Sequence, residues 1–268
     1  HSNSEQQECQ RALQHLEEVL MVEGPQTVAM IALETVVGTN GILVPPDGYL
    51  QGVREICNKH GIVMMCDEVM AGFGRCGEWF AVNKWNVTPD LICFAKGVNS
   101  GYIPLGGVVI SQKIADTFRD RVFPGGLTYS GHPLACAAAV ASINIFKEEK
   151  IVEHARMLGK DVIGPALEKI KAKHPSVGDV RGLGVFWAIE LVKNRETREP
   201  YVPFNASGPD AKPMMDLIVA CKERNLWPFT HFNRIHVVPP CNTPVEDVKT
   251  GLAIIDEVLD IADKHCKN

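Results

Sequence analysis

Short, continuously apolar segments alternate with helical patterns in the first half of this chain. Ile62-Val-Met-Met-Cys66 and Leu91-Ile-Cys-Phe-Ala95 are two such segments, and a helical pattern from Asp47 to His60 precedes the first of them. Strands that are apolar at every position, rather than at every second one, are typical of a sheet covered on both faces in an α/β domain. The pattern therefore predicts an α/β fold whose strands lie in a buried middle layer.

An ionisable residue follows each of these two apolar segments, namely Asp67 after the first and Lys96 after the second. Ligands of α/β sheets bind beyond the carboxyl ends of the strands, so we expect both residues at one edge of the sheet and partly buried. A lysine and a carboxylate in such a place suggest pyridoxal 5′-phosphate. Lys96 would hold this cofactor as a Schiff base, and Asp67 would keep its pyridine nitrogen protonated.

Neither residue is decisive alone, because a strand-end aspartate is more often a turn former and a lysine is more often solvated. Glycines cluster after both of them, at positions 72, 74 and 77 and at positions 97, 101, 106 and 107. Glycine allows a planar ligand to approach the backbone closely. These clusters therefore favour the cofactor site over two unrelated surface residues.

The chain divides into two predicted parts near residue 150. Residues 1–150 form part of a large domain, and residues 151–268 form a connector helix, from Ile151 to Lys173, and a smaller α+β domain. Two strands between Val177 and Leu191 are expected in the second part. Thr243-Pro-Val-Glu246 predicts a capping box that opens a last helix.

Composition argues against several classes of protein. The net charge is −5 and no Lys/Arg run forms a phosphate-tracking stripe, so binding to nucleic acid is not indicated. Nine cysteines include no C-x-x-C pair, so neither a metal site nor a disulfide framework is predicted. Several lie in apolar runs, which indicates a reducing, cytoplasmic setting. No signal peptide or membrane-spanning run is recognisable, and no membrane association is expected.

Two short motifs point elsewhere but lack their required context. Gly72-Phe-Gly-Arg-Cys-Gly77 fits the dinucleotide-binding pattern G-x-G-x-x-G, which needs a helix directly after it and an acid that ends the next strand. Asp90 instead precedes its strand. Met64-Met-Cys-Asp-Glu68 resembles the acid pair of a P-loop NTPase, yet the sequence has no G-x-x-x-x-G-K-[ST] loop.

Three longer blocks resemble the class III aminotransferases, which are pyridoxal phosphate enzymes of the aspartate aminotransferase fold (fold type I). The blocks are Cys66-Asp-Glu-Val-Met-Ala-Gly-Phe-Gly-Arg-Cys-Gly77, Pro89-Asp-Leu-Ile-Cys-Phe-Ala-Lys-Gly-Val-Asn-Ser-Gly-Tyr-Ile-Pro-Leu-Gly-Gly107 and Gly126-Leu-Thr-Tyr-Ser-Gly-His-Pro133. They stand in the family's order, and the resemblance covers nearly the whole chain. It implies an α/β large domain, partial here, with a smaller C-terminal α+β domain.

The resemblance assigns roles to individual positions. Lys96 matches the lysine that forms the Schiff base and carries the proton between the substrate Cα and the cofactor. Asp67 matches the partner of the pyridine nitrogen, and Val69 matches a residue that packs on the ring. Thr128 matches a threonine that reaches the cofactor phosphate of the neighbouring subunit, which implies a homodimer with shared active sites. Glu34 matches an acid near the cofactor's phenolic side that also contacts substrate.

Substrate preference depends on the stretch Leu226-Trp-Pro-Phe-Thr-His-Phe-Asn-Arg-Ile-His-Val-Val-Pro-Pro240. Within the family it is most similar to omega-amino-acid:pyruvate enzymes, the taurine–pyruvate aminotransferases among them. Members that accept 2-oxoglutarate pair the acid at Glu34 with an arginine at the position of His236. Here the arginine is Arg234, which could bind a carboxylate or a sulfonate. The departure favours pyruvate as the amino acceptor.

The predicted function is the transfer of an amino group from an omega-amino acid or amine, such as taurine, to pyruvate by way of pyridoxamine phosphate. Family members also carry an earlier segment that supplies a phosphate-binding turn and an aromatic residue stacked on the ring. Nothing between His1 and Thr27 resembles either, so we expect an N-terminally truncated chain. The alternatives left open are another class III enzyme (an aminomutase, a racemase or a decarboxylase) and a cofactor-free fragment without activity.

Overall fold

The computed structural model describes residues 4–266 of the 268-residue chain. These residues fall into two compact units. The first comprises residues 4–36, Pro45–Phe73 and Glu78–Lys150, and the second comprises Val37–Val44, Gly74–Gly77 and residues 151–266. The second unit thus includes two short segments from the first half of the sequence. The outer ends of the predicted domain ranges, residues 1–3 and 267–268, lie outside the described residues.

Helices and strands alternate in the first unit. In chain order they are α1 (Glu5–Glu23), β1 (Met30–Glu34), α2 (Tyr49–His60), β2 (Val63–Asp67), β3 (Leu91–Phe94), β4 (Gly107–Ile110), α3 (Gln112–Asp116) and α4 (Pro133–Glu148). The strands form one sheet in the order β1-β2-β3-β4, in which β1, β2 and β3 are parallel and β4 runs antiparallel to β3. The carboxyl ends of β1, β2 and β3 therefore lie at the same edge.

Helix α2 shows how sequence pattern becomes packing in this unit. It buries the apolar face that includes Leu50, Val53 and Cys57, and it packs against β2. The helix ends at Gly61, whose φ of +70° is a left-handed conformation that glycine adopts at little cost. Its N-cap is Gly48 rather than the predicted Asp47. The end of the helix was therefore predicted correctly, and its start was wrong by one residue.

The two faces of the first sheet differ in burial. Met64 and Cys66 lie on one face and are fully buried. The strand register places Met30, Val108 and Ile110 on the opposite face, where they are 43%, 54% and 47% exposed. The expectation of a sheet buried on both faces is therefore wrong for this chain. Continuous apolar sequence shows that both faces can be covered, but among the described residues only the centre of one face, at Met64 and Cys66, is fully buried.

The second unit is built from antiparallel strands and helices. Its elements are α5 (Ile151–Met157), α6 (Gly164–Lys173), β5 (Val177–Leu183), β6 (Phe186–Asn194), β7 (Glu199–Pro200), α7 (Lys212–Lys222), β8 (Phe229–His231), β9 (Arg234–Val237) and α8 (Val245–Asp263). The sheet order is β5-β6-β9-β8, and β7 pairs with β6 outside this path. Ile189, Leu191 and Ile235 point from the sheet into a core shared with Leu167 of α6 and Leu259 of α8, and all five are at most 1% exposed.

Two local features of this unit differ from the regular patterns expected. The predicted helix over 151–173 is present, but it contains a π-helical segment, Leu158–Ile163. Within that segment, Gly159 lies so close to the turn between β5 and β6 that a Cβ atom would stand 2.1 Å from the Gly184 carbonyl oxygen. The predicted capping box is also absent in the described residues, because α8 begins at Val245 and the Thr243 hydroxyl donates to the Pro240 carbonyl instead.

Among residues 4–266, none of the helices combines the length and the apolar character that crossing a membrane requires.

Candidate active site

Lys96 lies two residues beyond the end of β3 and is the first residue of a short 3-10 turn, Lys96–Val98. Its φ of +43° is left-handed, a conformation that is uncommon for a residue with a side chain and that costs roughly 1–3 kcal/mol. Such strain persists only where the surrounding structure enforces it, and it is frequent at functional sites.

The turn around Lys96 is held by close packing and by a buried amide. A Cβ atom on Gly97 would lie 2.8 Å from the Cβ of Phe73, so only glycine fits there. Asn99 is buried; its side chain donates to the Ile103 carbonyl at 2.6 Å and accepts from the Gly101 amide at 3.3 Å. The backbone that follows Lys96 is therefore held in place, which accounts for the tolerated strain.

The side chain of Lys96 is exposed, contrary to the expectation of partial burial. The lysine follows the strand rather than belonging to it, and it lies at the edge of the sheet. The sequence pattern predicts where the strand ends, but the burial of the next residue depends on what packs over that edge. The described residues leave the amine accessible.

Asp67 ends β2 and is half-buried, with its Oδ1 accepting a hydrogen bond from the Val69 amide at 2.9 Å. Its register partners are Glu34 on β1 and Cys93 on β3. Partners in a parallel register point to the same face, so the Asp67 and Glu34 side chains are neighbours about 5 Å apart at the strand level. Lys96 lies three residues beyond Cys93. The structure thus brings Glu34, Asp67 and Lys96 to one edge of the first unit.

Glu68, the residue after Asp67, was not among the predicted site residues. It is fully buried, and its carboxylate accepts hydrogen bonds from the Thr35 hydroxyl (2.7 Å) and from the amides of Ala81 (2.8 Å) and Val82 (2.9 Å). Burial raises the pKa of Glu68, although these donors partly oppose the rise. The network holds the Glu68 side chain, and with it the residue that directly follows Asp67. An acid directly after the strand-end aspartate was the sequence signal that could have identified it.

Two further predicted residues lie in the first unit. Val69 is half-buried two residues after Asp67 and shares its local turn. Thr128 lies in a segment in which every residue from 121 to 134 is exposed, and its hydroxyl has no hydrogen-bond partner among residues 4–266. The structure therefore groups Val69 with Asp67 but does not link Thr128 to Lys96 or Asp67 by hydrogen bonds.

Arg234 belongs to the second unit, on β9. Its Nε donates to the Glu190 carboxylate at 3.3 Å, and its side chain is 18% exposed. His236, two residues further along the strand, is buried, and its Nε2 has no hydrogen-bond partner among the described residues. Burial, aided by the positive charges of nearby side chains, lowers the pKa of His236 to about 4. At neutral pH the His236 ring is therefore uncharged.

Comparison with known proteins places this arrangement in a family. The model of the family "Aminotransferase class-III" matches residues 1–259. The chain belongs to the class-III aminotransferases. The predicted family and the predicted fold class are thereby confirmed.

Relatives of this class-III chain are named after different amino donors. The taurine–pyruvate aminotransferase of Bilophila wadsworthia is 41% identical over 191 residues, which are 69% of this chain and 42% of that protein. The 5-aminovalerate aminotransferase of Pseudomonas aeruginosa is 37% identical over 241 residues, or 88% of this chain and 53% of that protein. The class-III chain thus spans about half the length of the curated relatives it matches.

A solved class-III structure is also close to this chain. The taurine:2-oxoglutarate aminotransferase of Bifidobacterium kashiwanohense, in complex with PLP and glutamate, superposes with a TM-score of 0.93 and 41% identity, covering 98% of this chain and 58% of that one. The backbone described above is therefore a known transaminase framework.

Proposed function

We propose that this protein is a pyridoxal phosphate-dependent aminotransferase that moves an amino group from an omega-amino acid or amine, with taurine as the leading donor, to pyruvate. The observation that carries the proposal is the grouping of Glu34, Asp67 and Lys96 at the carboxyl edge of three parallel strands in a class-III chain. The other class III chemistries use the same lysine–aspartate pair, but the named relatives are aminotransferases.

The residues present fit the cofactor. Asp67 uses Oδ1 for the Val69 amide, and its Oδ2 has no hydrogen-bond partner among residues 4–266. A carboxylate held in this way can accept the N–H of a protonated pyridine ring and stabilise its charge. Pyridoxal phosphate, when bound, supplies the electron sink that makes the substrate Cα–H acidic. Val69, on the same turn as Asp67, would pack on the ring.

Lys96 is the proposed covalent anchor of the cofactor and the group that moves a proton to and from the substrate Cα. An exposed amine on a fixed backbone is accessible to a carbonyl group. Because the backbone is fixed, the amine would reach the substrate Cα by rotation of the lysine side chain alone. Glu34, on the strand beside Asp67, would contact the phenolic side of the cofactor and the substrate.

Arg234 is proposed to bind the acid group of the substrate. A guanidinium is the side chain best suited to a bidentate contact with a carboxylate or sulfonate, and those are the acid groups of pyruvate and taurine. A second candidate acceptor is 2-oxoglutarate, because the solved relative with a TM-score of 0.93 is named as a taurine:2-oxoglutarate enzyme. The neutral His236 in place of an arginine favours pyruvate.

We also propose an oligomeric state, a domain division and a cellular location for the protein. A homodimer with shared active sites is proposed from the position of Thr128 in an exposed segment with large apolar side chains, including Val122 (90% exposed) and Tyr129 (79% exposed). Residues 1–150 would form the cofactor-binding domain and residues 151–268 the connector and small domain. A cytoplasmic location is proposed because several cysteines, Cys57, Cys66 and Cys221 among them, are buried as small apolar side chains.

The cofactor proposal is tested by adding pyridoxal phosphate to the purified chain and recording the visible spectrum. We expect a new absorbance band that borohydride abolishes and that Lys96→Ala lacks. Lys113→Ala, which removes an exposed lysine from α3 of the same unit, is the matched control and should keep the band. A wild-type chain without the band, or a Lys96→Ala variant with it, would contradict the assignment.

The choice of acceptor is tested by measuring turnover of taurine with pyruvate and with 2-oxoglutarate at equal concentrations. Faster turnover with pyruvate is expected. The opposite order would refute the argument from His236 and support the second candidate.

A further inference from the structure

Arg234 shares its carboxylate partner with a second arginine of the same unit. Arg181 on β5 donates from Nη2 to Glu190 Oε2 at 2.7 Å, and Arg234 on β9 donates from Nε to the same oxygen at 3.3 Å. Glu190 lies on β6 between the two strands and is the register partner of Arg234. One carboxylate oxygen thus bridges two guanidinium groups, and the contact to Arg181 is the shorter one.

The two arginines differ in the number of hydrogen bonds that their guanidinium groups donate. Arg181 donates from Nη1 to Asp179 at 2.9 Å and from Nε to the Gly41 carbonyl at 2.9 Å, so each of its three nitrogens has a protein partner. Arg234 makes one hydrogen bond, through Nε, and its guanidinium lies over the Phe232 ring at 6.0 Å from the centroid. Within residues 4–266 its Nη1 and Nη2 make no hydrogen bond. Both side chains are less than one-fifth exposed, at 19% and 18%. Arg234 therefore carries an unused donor edge in a largely buried position.

The surroundings of Arg234 hold its stem in place. Gly41 has a φ of +119°, and a Cβ atom there would stand 2.7 Å from Cδ of Arg234. His236 lies on the same face of β9, and its Nε2 is a buried polar atom with no partner in the described chain. An arginine Nη edge without a hydrogen bond and a buried imidazole nitrogen without one therefore lie on the same face of β9 within the described residues.

Competition for Glu190 explains why the edge of Arg234 is unused. A carboxylate beside a single guanidinium frequently pairs with it through two parallel N–H···O bonds. Here Arg181 takes the Glu190 oxygen at the shorter distance, so Glu190 reaches Arg234 only through Nε. Without Arg181, Glu190 would be free to pair side-on with Arg234 and occupy its Nη edge.

We propose that Arg181 is a positioning residue that holds Glu190 away from the Nη edge of Arg234 and so keeps that edge open for the carboxylate or sulfonate of the substrate. The inference rests on the proposed role of Arg234 in acid recognition. Arg181 itself does not contact the substrate in this scheme.

The test compares acid binding by the full chain and its variants. The dissociation constants of pyruvate, 2-oxoglutarate and taurine are measured by calorimetry for wild type, Arg181→Gln, Glu190→Gln and the Arg181→Gln/Glu190→Gln double variant. We expect Arg181→Gln to weaken binding about tenfold, which is a change in free energy of about 1.4 kcal/mol. The double variant should recover wild-type affinity within about threefold, because the competing carboxylate is gone. Arg195→Gln, which removes an arginine bound to backbone carbonyls elsewhere in this unit, is the charge-matched control and should bind as wild type.

A purely structural role for Arg181 makes the opposite prediction for the double variant, since removing a second partner would add to the damage. A double variant that binds no better than Arg181→Gln would therefore overturn the inference. So would wild-type affinity in Arg181→Gln. The variant Arg234→Gln distinguishes failure of this inference from failure of the proposed function. If Arg234→Gln binds the acids as well as wild type does, the proposed acid-binding role of Arg234 is wrong.

A second readout needs no ligand. The guanidinium NMR signals of Arg234, assigned by their absence in Arg234→Gln, report on rotation and hydrogen exchange of the Nη groups. In Arg181→Gln these motions should slow several-fold as Glu190 pairs side-on, and they should return to wild-type rates in the double variant. Unchanged signals in folded Arg181→Gln would overturn the inference, even if the chain binds none of the acids.

Discussion

The two sheets of this protein differ in how their faces are used. In the second unit, Ile189 and Ile235 on one face are at most 1% exposed and belong to a closed core. In the first unit, Val108 and Ile110 on one face are 54% and 47% exposed, although their sequence is as apolar. Burial of a strand thus depends on what packs over it, and equal hydrophobicity does not guarantee equal burial.

The proposed functional side chains lie on the faces that neither unit uses for its own core. Glu34 and Asp67 share the exposed face of the first sheet, opposite the buried Met64 and Cys66. Arg234 points away from the core side of the second sheet, because its neighbour Ile235 fills that side. In the proposed scheme, each sheet has its core on one face and proposed functional side chains on the other, so substitutions on the two faces should have different consequences.

The largest effect is expected where the second unit is packed most closely. Gly159→Ala would place a methyl group 2.1 Å from the Gly184 carbonyl oxygen, a backbone atom with little freedom to move. We expect a loss of more than about 4 kcal/mol in the free energy of unfolding, measured by urea denaturation.

The control for this substitution is Gly251→Ala, in α8 of the same unit. The nearest atom to its added Cβ would be Leu226 Cδ1 at 3.6 Å, an ordinary contact. Alanine is the better helix former by about 1 kcal/mol, so this variant should be as stable as wild type or more so. Equal effects at the two glycines would contradict the packing argument.

A matched pair of isoleucines compares the two sheets directly. Ile189→Ala removes side-chain atoms from a fully buried position and should cost about 3 kcal/mol. Ile110→Ala removes them from a residue that is 47% exposed and should cost less than about 1 kcal/mol. Denaturation of both variants under the same conditions provides the comparison, and similar losses would show that the face with Ile110 is covered in solution.

Acid should weaken the second unit through His236. Its pKa in the folded protein is about 4, below the ordinary value of 6.5, so the folded state favours the neutral ring. The stability that this provides is fully present above pH 6.5 and is lost as the pH falls through 4, an amount of about 3 kcal/mol at most.

The measurement is the free energy of unfolding of wild type and His236→Gln between pH 7 and pH 4. The variant should lose less stability over this range than wild type. His15→Gln, which changes an exposed histidine of α1, should follow the wild-type curve. Parallel curves for wild type and His236→Gln would show that the ring becomes protonated in the folded state at no cost.

The smallest effect is expected at the buried carboxylate of the first unit. Thr35→Val removes the hydroxyl that donates to Glu68 at 2.7 Å and should lower the free energy of unfolding by about 1–2 kcal/mol at neutral pH.

Because the pKa of Glu68 is raised above 4.5, the folded state holds its proton more tightly than the unfolded state. The stability that this proton provides is present below pH 4.5 and is lost as the pH rises through the raised pKa. Glu68→Gln should lack this pH dependence, and identical pH profiles would contradict the shift.

Three elements could be predicted from local chemistry, namely the strand that ends at Asp67, the helix that ends before Gly61 and the helix that begins at Pro133. They follow from an apolar run, from a left-handed glycine and from a proline at the first helical position. Features that depend on contacts distant in sequence could not be predicted. The π-helical segment at Gly159 and the donors that surround Glu68 come from residues that no short-range pattern connects.

The sequence by itself determined the family, the strand ends and the positions of Asp67 and Lys96, because apolar runs and the motifs around them are properties of consecutive residues. Only the tertiary structure decided the exposure of Lys96, the burial of Glu68 and the sharing of Glu190 by Arg181 and Arg234. Burial and ion pairing depend on which atoms from distant parts of the chain meet. That information enters only when the strands are placed side by side.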